Sequence, residues 1–354
     1  MPARSLSEKV MRETLDAVEK ADGNITSAAI GLGVNRSTFE GRYRRARQVL
    51  MPNEPADGGS ETEVLLPEFP DEDIDVEEIL DHLSKRWEKK QEHEQAKRWF
   101  DITVKSDDIF GLAVVGDPHL GSHCNIPLLR RDVEIMSTTP GIHCVNIGDT
   151  TNNWPGYGRL AALYAEEDMS RPTERKLARW FLEAVPWIVW LEGNHDNMAG
   201  ELSVYLRSQN VKQIPMLDWQ ARFKLVFPSA TIRVDAAHNH KGTSIYNPLH
   251  GQRRADLWGE DADIYVAGHH HTWAIQQHER QDSDGSCVTY ARARGYKWHD
   301  EYGRRGGFHE ERYGSTIIFV IDPKAPPPTR VKPFADLEEG AEFLTWKRSR
   351  KKAL

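Results

Sequence analysis

Cysteine is scarce in this chain of 354 residues: Cys124, Cys144 and Cys287 are the only three, and no two have C-x-x-C spacing. An odd, unpaired set excludes a disulfide framework and fits a reducing, cytoplasmic setting. Long apolar runs are missing too. No stretch approaches bilayer length, and the opening Met-Pro-Ala-Arg-Ser leads into a polar helical pattern, with no sign of secretion or membrane insertion. Nor is there an excess of base: 46 Lys and Arg stand against 54 Asp and Glu, a net charge of −8. Whole-chain attraction to nucleic acid or anionic lipid is thereby excluded, so any such binding must come from local charge. No internal repeat is visible. What is present, 39% hydrophobic and 28% charged residues, is ordinary for a folded protein with one large domain and a smaller module.

The spacing predicts a helical unit over residues 1–50. A first helix runs from Ser7 to about Lys20 and ends at Gly23-Asn24. A second follows Thr26 and stops at Gly33; Asn35 then caps a third through about Leu50. That third helix is rich in arginine, with Arg36, Arg42, Arg44, Arg45 and Arg47. Residues 51–83 hold twelve Asp or Glu and no Lys or Arg, together with several prolines, and read as an acidic flexible linker. A polar helix of mixed charge reads from about Val76 to Phe100, overlapping the end of the linker; residues 84–108 are set apart as charged helix and lead-in, 109–325 as the main domain, and 326–354 as a basic, mobile tail.

Within the main domain, five short segments place metal-ligating side chains after strand-like runs. They are Asp117-Pro118-His119, Gly148-Asp149, Gly193-Asn194-His195-Asp196, His238-Asn239-His240 and Gly268-His269-His270-His271. Asp, Asn and His together suit a pair of divalent ions with mixed oxygen and nitrogen ligands. Runs such as 110–115, 145–147, 187–191 and 264–267 end in glycine turns, which puts the ligands at the carboxyl edge of a sheet. Residues two apart, as in Asp117-x-His119 and His269-x-His271, face one side if the backbone is extended.

The order D-x-H, G-D, G-N-H-D, H, G-H-x-H resembles the calcineurin-like metallophosphoesterase superfamily. The resemblance spans residues 117–271 and implies an α/β sandwich, two central mixed sheets flanked by helices, beside the small all-α unit. It implies that Asp117, His119, Asp149 and His271 hold one ion. Asp149, Asn194, His238 and His269 would hold the other, with Asp149 bridging ions roughly 3.5–4 Å apart. Mn²⁺ is the expected ion, with Fe, Zn or Mg also compatible. His195 corresponds to the family's acid, which protonates the leaving oxygen; Asp196 could orient it or could serve as a helix cap or turn residue. His238 fits the fourth element better than His240, which is left a substrate-facing or supporting place.

For the substrate, Gly148-Asp149-Thr150-Thr151-Asn152-Asn153-Trp154 lacks the second Asp and the Arg of the G-D-x-x-D-R-G element found in protein phosphatases. The plain G-D is more like the DNA-repair nuclease branch. Residues 22–39 are similar to the Fis-type helix-turn-helix family, which implies a DNA partner. Asn35, Arg36, Ser37 and Thr38 would meet base edges, and Arg42, Arg44 and Arg45 would neutralise phosphates. Residues 291–313 mix cations with aromatics and glycines, and a mobile loop there could grip a strand through Arg304 and Arg305. The expectation is a two-metal DNA phosphodiesterase, with a second copy of the chain or a partner ATPase as further partners and no membrane. The alternatives are a phosphomonoesterase acting on nucleotides or proteins, and a DNA-binding regulator with a vestigial metal domain.

Overall fold

The computed structural model describes residues 6–51, 75–280, 285–298, 314 and 316–352. The chain divides into two compact units, Met1–Lys90 and Gln91–Leu354.

In the first unit, three helices enclose a small core. Helix α1 (Glu8–Lys20) is capped by the Ser7 hydroxyl, and Met11, Thr14 and Val18 form its buried stripe at helical spacing. Helix α2 (Ile25–Gly31) starts at Asn24, whose side chain accepts from the Ser27 amide at 3.1 Å. Gly33 then takes φ +66°, and the Val34 amide reaches back to the Ala29 carbonyl at 3.0 Å, which closes α2 and turns the chain. Asn35 caps α3 (Arg36–Leu50) by accepting from Thr38 N at 2.8 Å. Val18, Ala28 and Ala29 pack on Phe39, which is fully buried. The two alanines let α2 approach closely. Helix α4 (Val76–Arg98) follows, so the segment expected as linker through residue 83 is helical from Val76, while 52–74 lie outside the described residues.

The second unit comprises β1 (Phe100–Thr103), β2 (Phe110–Val115), α5 (Ile126–Thr138), β3 (Ile142–Asn146), α6 (Ala161–Glu166), α7 (Arg171–Ala184), β4 (Trp187–Glu192), α8 (Asn194–Met198), α9 (Glu201–Gln209), β5 (Met216–Asp218), β6 (Gln220–Val226), β7 (Thr231–Ala237), α10 (His250–Trp258), β8 (Ile264–Ala267), β9 (Ala274–Glu279), β10 (Cys287–Arg292), β11 (Ile317–Ile321), α11 (Pro327–Arg330), β12 (Val331–Phe334) and α12 (Leu337–Lys352). Two six-stranded mixed sheets form, in the orders β12-β11-β2-β3-β4-β5 and β1-β6-β7-β8-β10-β9. Strands β2 to β5 run parallel, as do β7, β8 and β10.

The apolar runs of β2, β8 and β11 are unbroken because these strands are buried on both faces, whereas β6 alternates between buried and half-buried positions. Along β2, Phe110, Leu112 and Val114 pack with Phe223, Val234 and Val266 of the other sheet, and this is the core between the sheets. Ala113 and Val115 point the other way, onto a layer of α5, α7, α9 and α12. On the second sheet Tyr265 and Tyr290 pack outward with Leu249 and Ala255 beside α10. Removing side chains such as Leu112 or Phe319 from water contributes about 1.5–3 kcal/mol each.

Three sequence expectations change. Strand β1 pairs in parallel with β6 (Phe100 opposite Phe223), so the sandwich begins before residue 109. Residues 326–354 are not a tail: β12 extends the first sheet, and Leu337, Ala341 and Leu344 of α12 are buried in the helix layer. Two basic residues of that helix serve as anchors, Lys347 2.7 Å from Asp322 and the Arg348 guanidinium on the Ile109 carbonyl. The third change concerns 291–313. Arg292 and Lys297 are buried and hence do not belong to an open gripping loop, while residues 299–313, with Arg304 and Arg305, lie outside the described residues.

Candidate metal centre

The five segments arrive from both sheets and not from the edge of one. Asp117 and His119 follow β2, Asp149 follows β3, and Asn194 and His195 open α8 after β4. His238 follows β7, and His269 and His271 follow β8. Their backbones are not extended either. Asp117, His119, Asp149, His269 and His271 have φ of 40°, 42°, 54°, 66° and 50°, the left-handed region. Alternation along a strand therefore does not account for the pairing of Asp117 with His119 or His269 with His271.

The close approach of these turns depends on glycine. A Cβ on Gly148 would lie 2.5 Å from the Gly193 nitrogen. One on Gly193 would collide with an Asp149 carboxylate oxygen, and one on Gly268 with an Asp117 oxygen.

Three groups of side chains bring ligand atoms within 4.8 Å of one another: Asp117 with His119 and His271; His119 with Asp149 and His195; Asp149 with His238 and His269. Asp149 Oδ2 stands 3.7 Å from His119 Nε2 and 3.4 Å from His238 Nε2, so one carboxylate oxygen serves both sides. Its other oxygen accepts from the His195 amide at 2.8 Å.

The tautomers follow from the acceptors. His238 Nδ1 donates to the Ile147 carbonyl at 2.9 Å, which leaves a lone pair on Nε2. That lone pair faces Asn194 Oδ1 and His269 Nδ1, each at 2.9 Å. Burial holds His238 down to about 4 and His269 down to about 3, the latter helped by the neighbouring histidines, so both are neutral near pH 7. His119 is treated the same way: Nδ1 donates to the Asn152 amide oxygen at 3.1 Å, and burial lowers its pKa far below the usual histidine range. Asp117 is fully buried. Its Oδ2 accepts from the His269 amide at 2.8 Å and Oδ1 has no hydrogen-bond partner. Burial raises its pKa, and that of Asp149 also. Lone pairs converging with orphaned carboxylate oxygen in a buried site is the pattern that divalent cations satisfy, and the His/Asp/Asn donor set fits them.

His195 Nδ1 donates to the Asn152 carbonyl at 2.7 Å, and its ring lies edge-on to His119 and Trp154, both 4.7 Å between centroids. Asp196 does not touch that ring. Its buried carboxylate accepts from the amides of Asp149 (2.8 Å), Thr150 (3.0 Å) and Gly193 (2.8 Å). The orienting role considered for Asp196 thus passes to the Asn152 carbonyl, and Asp196 clasps two ligand loops. Of the two histidines in the fourth segment, His238 joins the cluster. His240 turns into the β-sheet side, with Nε2 3.0 Å from Asp235.

Three contributors were not singled out from the sequence, and a fourth, Lys297, was read only as one cation of the 291–313 segment. Asn152 holds His119 with its amide and His195 with its carbonyl. Asn153 donates to the carbonyls of His195 and Asp196. Both occupy the places where the protein-phosphatase element would carry Asp and Arg, so the departure itself was the available signal. Lys297 is buried with its ammonium 5.2 Å over the Trp154 ring. Trp219 lies against His238 (5.1 Å) with its ring partly exposed.

In the helical unit the expected DNA-contacting residues are largely engaged in the helix itself. Asn35 Oδ1 accepts from Thr38 N and from Ser37 Oγ at 2.9 Å. Arg36 pairs with Glu40 at 2.7 Å, and Arg42 is half-buried, whereas Arg44 and Arg45 are exposed.

No protein-family model matches the chain, and no curated protein matches it. Solved structures similar to it include zinc-complexed Vps29 from Entamoeba histolytica, at 12% identity and TM-score 0.33, covering 64% of this chain and 97% of that one. Vps29 from Chaetomium thermophilum is 11% identical with TM-score 0.29, covering 64% and 91%. GAP50, the anchor in the inner membrane complex of Plasmodium, is 8% identical with TM-score 0.31, covering 68% and 95%. No helix among the described residues is long and apolar enough to cross a membrane.

Proposed function

We propose that this protein is a metal-dependent phosphoesterase that hydrolyses DNA phosphodiester bonds. The observation that carries the reading is the position of Asp149 Oδ2 between His119 Nε2 and His238 Nε2, with Asp117, His271, His269 and Asn194 closing the two sides. Asp117, His119, Asp149 and His271 would hold one divalent ion, and Asp149, Asn194, His238 and His269 the other. When bound, such a pair supplies an acidified water and charge stabilisation at phosphoryl oxygens. Mn²⁺ is the ion we would add first.

The chain's own residues complete the chemistry. His195, with Nδ1 committed to the Asn152 carbonyl, presents Nε2 as the atom that carries the proton to the leaving oxygen. Asp196 keeps the loops of Asp149 and His195 in register through its three amide contacts. Lys297 and Arg292 are buried cations that favour an anionic substrate. For DNA the support is the three-helix unit: a turn at Gly33 joins α2 to an α3 bearing five arginines and one Glu.

Purified protein with Mn²⁺ should cleave end-labelled single- or double-stranded DNA, and cleavage should vanish with a chelator and in His195→Ala. Intact DNA beside rapid hydrolysis of a small phosphomonoester would replace the nuclease reading with a phosphatase one.

A further inference from the structure

Helix α4 is 23 residues long, and not one of them is buried. A helix that buries no face among the described residues relies mainly on its intrinsic propensity, whereas most helices in proteins depend on a packed apolar stripe. Such a stripe exists. Val76, Leu80, Leu83 and Trp87 repeat with 4-3-4 spacing, the seam of a coiled coil, and they are 65%, 49%, 56% and 63% exposed. Ile79 flanks the seam at 42%. The next two seam positions are Lys90 and Glu94, so the apolar stripe is confined to the first half of the helix.

Charge identifies the occupant. The N-terminal part carries Asp75, Glu77, Glu78 and Asp81 and no base. Residues 84–90, which lie opposite that part in an antiparallel pair, carry Lys85, Arg86, Lys89 and Lys90 against a single Glu88; the remainder of the helix, beyond the apolar stripe, is mixed in charge. Two copies of this helix laid parallel would stack acid on acid and base on base. Laid antiparallel, they set the acidic half of each against the basic half of the other. That arrangement also aligns the seam with itself: Val76 of one copy meets Trp87 of the second, and Leu80 meets Leu83. The polar seam positions after Trp87 disfavour slippage along the stripe.

We propose that α4 is a self-association element, which pairs two copies of this chain through an antiparallel two-helix seam centred between Asp81 and His82. The proposal is independent of the metal centre and of any DNA contact. It gives the helix a packed face, and it explains why its apolar residues and opposite charges are segregated as they are.

The full chain should sediment as a dimer at micromolar concentration. The double variant Leu80→Asp/Leu83→Asp should weaken association at least a hundredfold while metal binding stays unchanged. Orientation is read by charge. Glu77→Lys/Glu78→Lys should weaken the dimer about tenfold at low salt, and adding Lys85→Glu/Arg86→Glu to the same chain should restore it. Association should also fall as salt is raised. A wild-type monomer overturns the proposal, as does a dimer indifferent to the leucine variants. A dimer lost with the leucines but not rescued by the charge reversal, or strengthened by salt, overturns the antiparallel seam.

Discussion

Replacing Asp196 by asparagine separates two roles that a Gly-Asn-His-Asp segment could give this residue. In the structure Oδ2 accepts from the amides of Asp149 and Gly193, and Oδ1 from Thr150, at 2.8, 2.8 and 3.0 Å. Asparagine keeps the shape but has a single acceptor. With its oxygen on the Asp149 and Gly193 amides, its NH₂ meets the Thr150 N–H; in the flipped state two contacts are lost. One charge-assisted bond is lost at minimum, and a buried donor is left unpaired, which costs about 2–4 kcal/mol. For a unit of this size that corresponds to a fall in Tm of roughly 5–10 °C. Because Asp149 lies directly on the clasp, metal affinity should fall as well, about 10–100-fold. Calorimetric titration with Mn²⁺ and thermal melts with and without chelator measure both. The pH–rate profile is the discriminating readout, since His195 is oriented by the Asn152 carbonyl and its limb should not move. A shifted acid limb with unchanged Tm and metal affinity would mean that Asp196 acts on the imidazole, and the clasp would be refuted.

Gly268→Ala should be disproportionately damaging for one methyl group. The new Cβ would collide with an Asp117 oxygen and approach Ile147 to 3.0 Å, so a loss of about 1–3 kcal/mol in chelator, with a further loss of metal affinity, is expected by calorimetry. Unchanged metal binding would show that Asp117 is not a ligand. Trp219→Ala removes the partly exposed ring beside His238; if it stacks on a base, DNA cleavage should drop about tenfold while a small ester is hydrolysed at the original rate. Equal effects on both would remove the stacking role. Asp235 is buried, which alone would raise its pKa, but His240, Gln220 and Arg222 bond its carboxylate and together hold it below its usual range. A depressed folded pKa contributes stability that is full above about pH 4 and is lost as pH falls through the folded value. Asp235→Asn should therefore lower stability by roughly 2 kcal/mol at neutral pH and flatten the acid side of the denaturation curve; an unchanged acid limb would contradict the assignment.

Four of the five ligand segments were legible because each follows a mostly apolar, buried run that ends in glycine and then Asp, Asn or His, whereas His238 follows Ala237 of β7 with no glycine between. β2, β3, β4 and β8 all have this signature. The helix caps were equally readable at Ser7 and Asn35, whose side chains make the expected bonds to backbone amides. Where local pattern is weak, the reading failed. β1 has only four residues, alternating half-buried and exposed, and becomes a strand by pairing with β6, more than a hundred residues away. Helix α12 mixes a buried stripe of Leu337, Ala341 and Leu344 with basic residues, and composition alone makes that look like a tail. Asn152 was visible only as a departure from the protein-phosphatase element and Lys297 only as one cation of the 291–313 segment, since each matters through a neighbour that the sequence places far away.

The division of the ligands between two sheets explains why their backbone is left-handed. Of nine non-glycine residues with positive φ among those described, five are ligand candidates, and Asn153 and Trp219 touch the cluster. Each such residue costs about 1–3 kcal/mol unless its surroundings over-determine it. Here they do. The Asp117 carboxylate takes the His269 amide across the two sheets, His238 donates to the Ile147 carbonyl, and Asp149 takes the His195 amide. A strand that simply continued would carry alternate side chains to opposite faces. An abrupt left-handed turn at the ends of β2 and β8 instead folds both ligands of a pair back into the gap between the sheets. Strain concentrated at the ligands, and held by contacts between their loops, two of which cross from one sheet to the other, is what a preorganised metal centre requires. It also places the burden of that geometry on glycines and backbone amides, which no list of ligands would reveal.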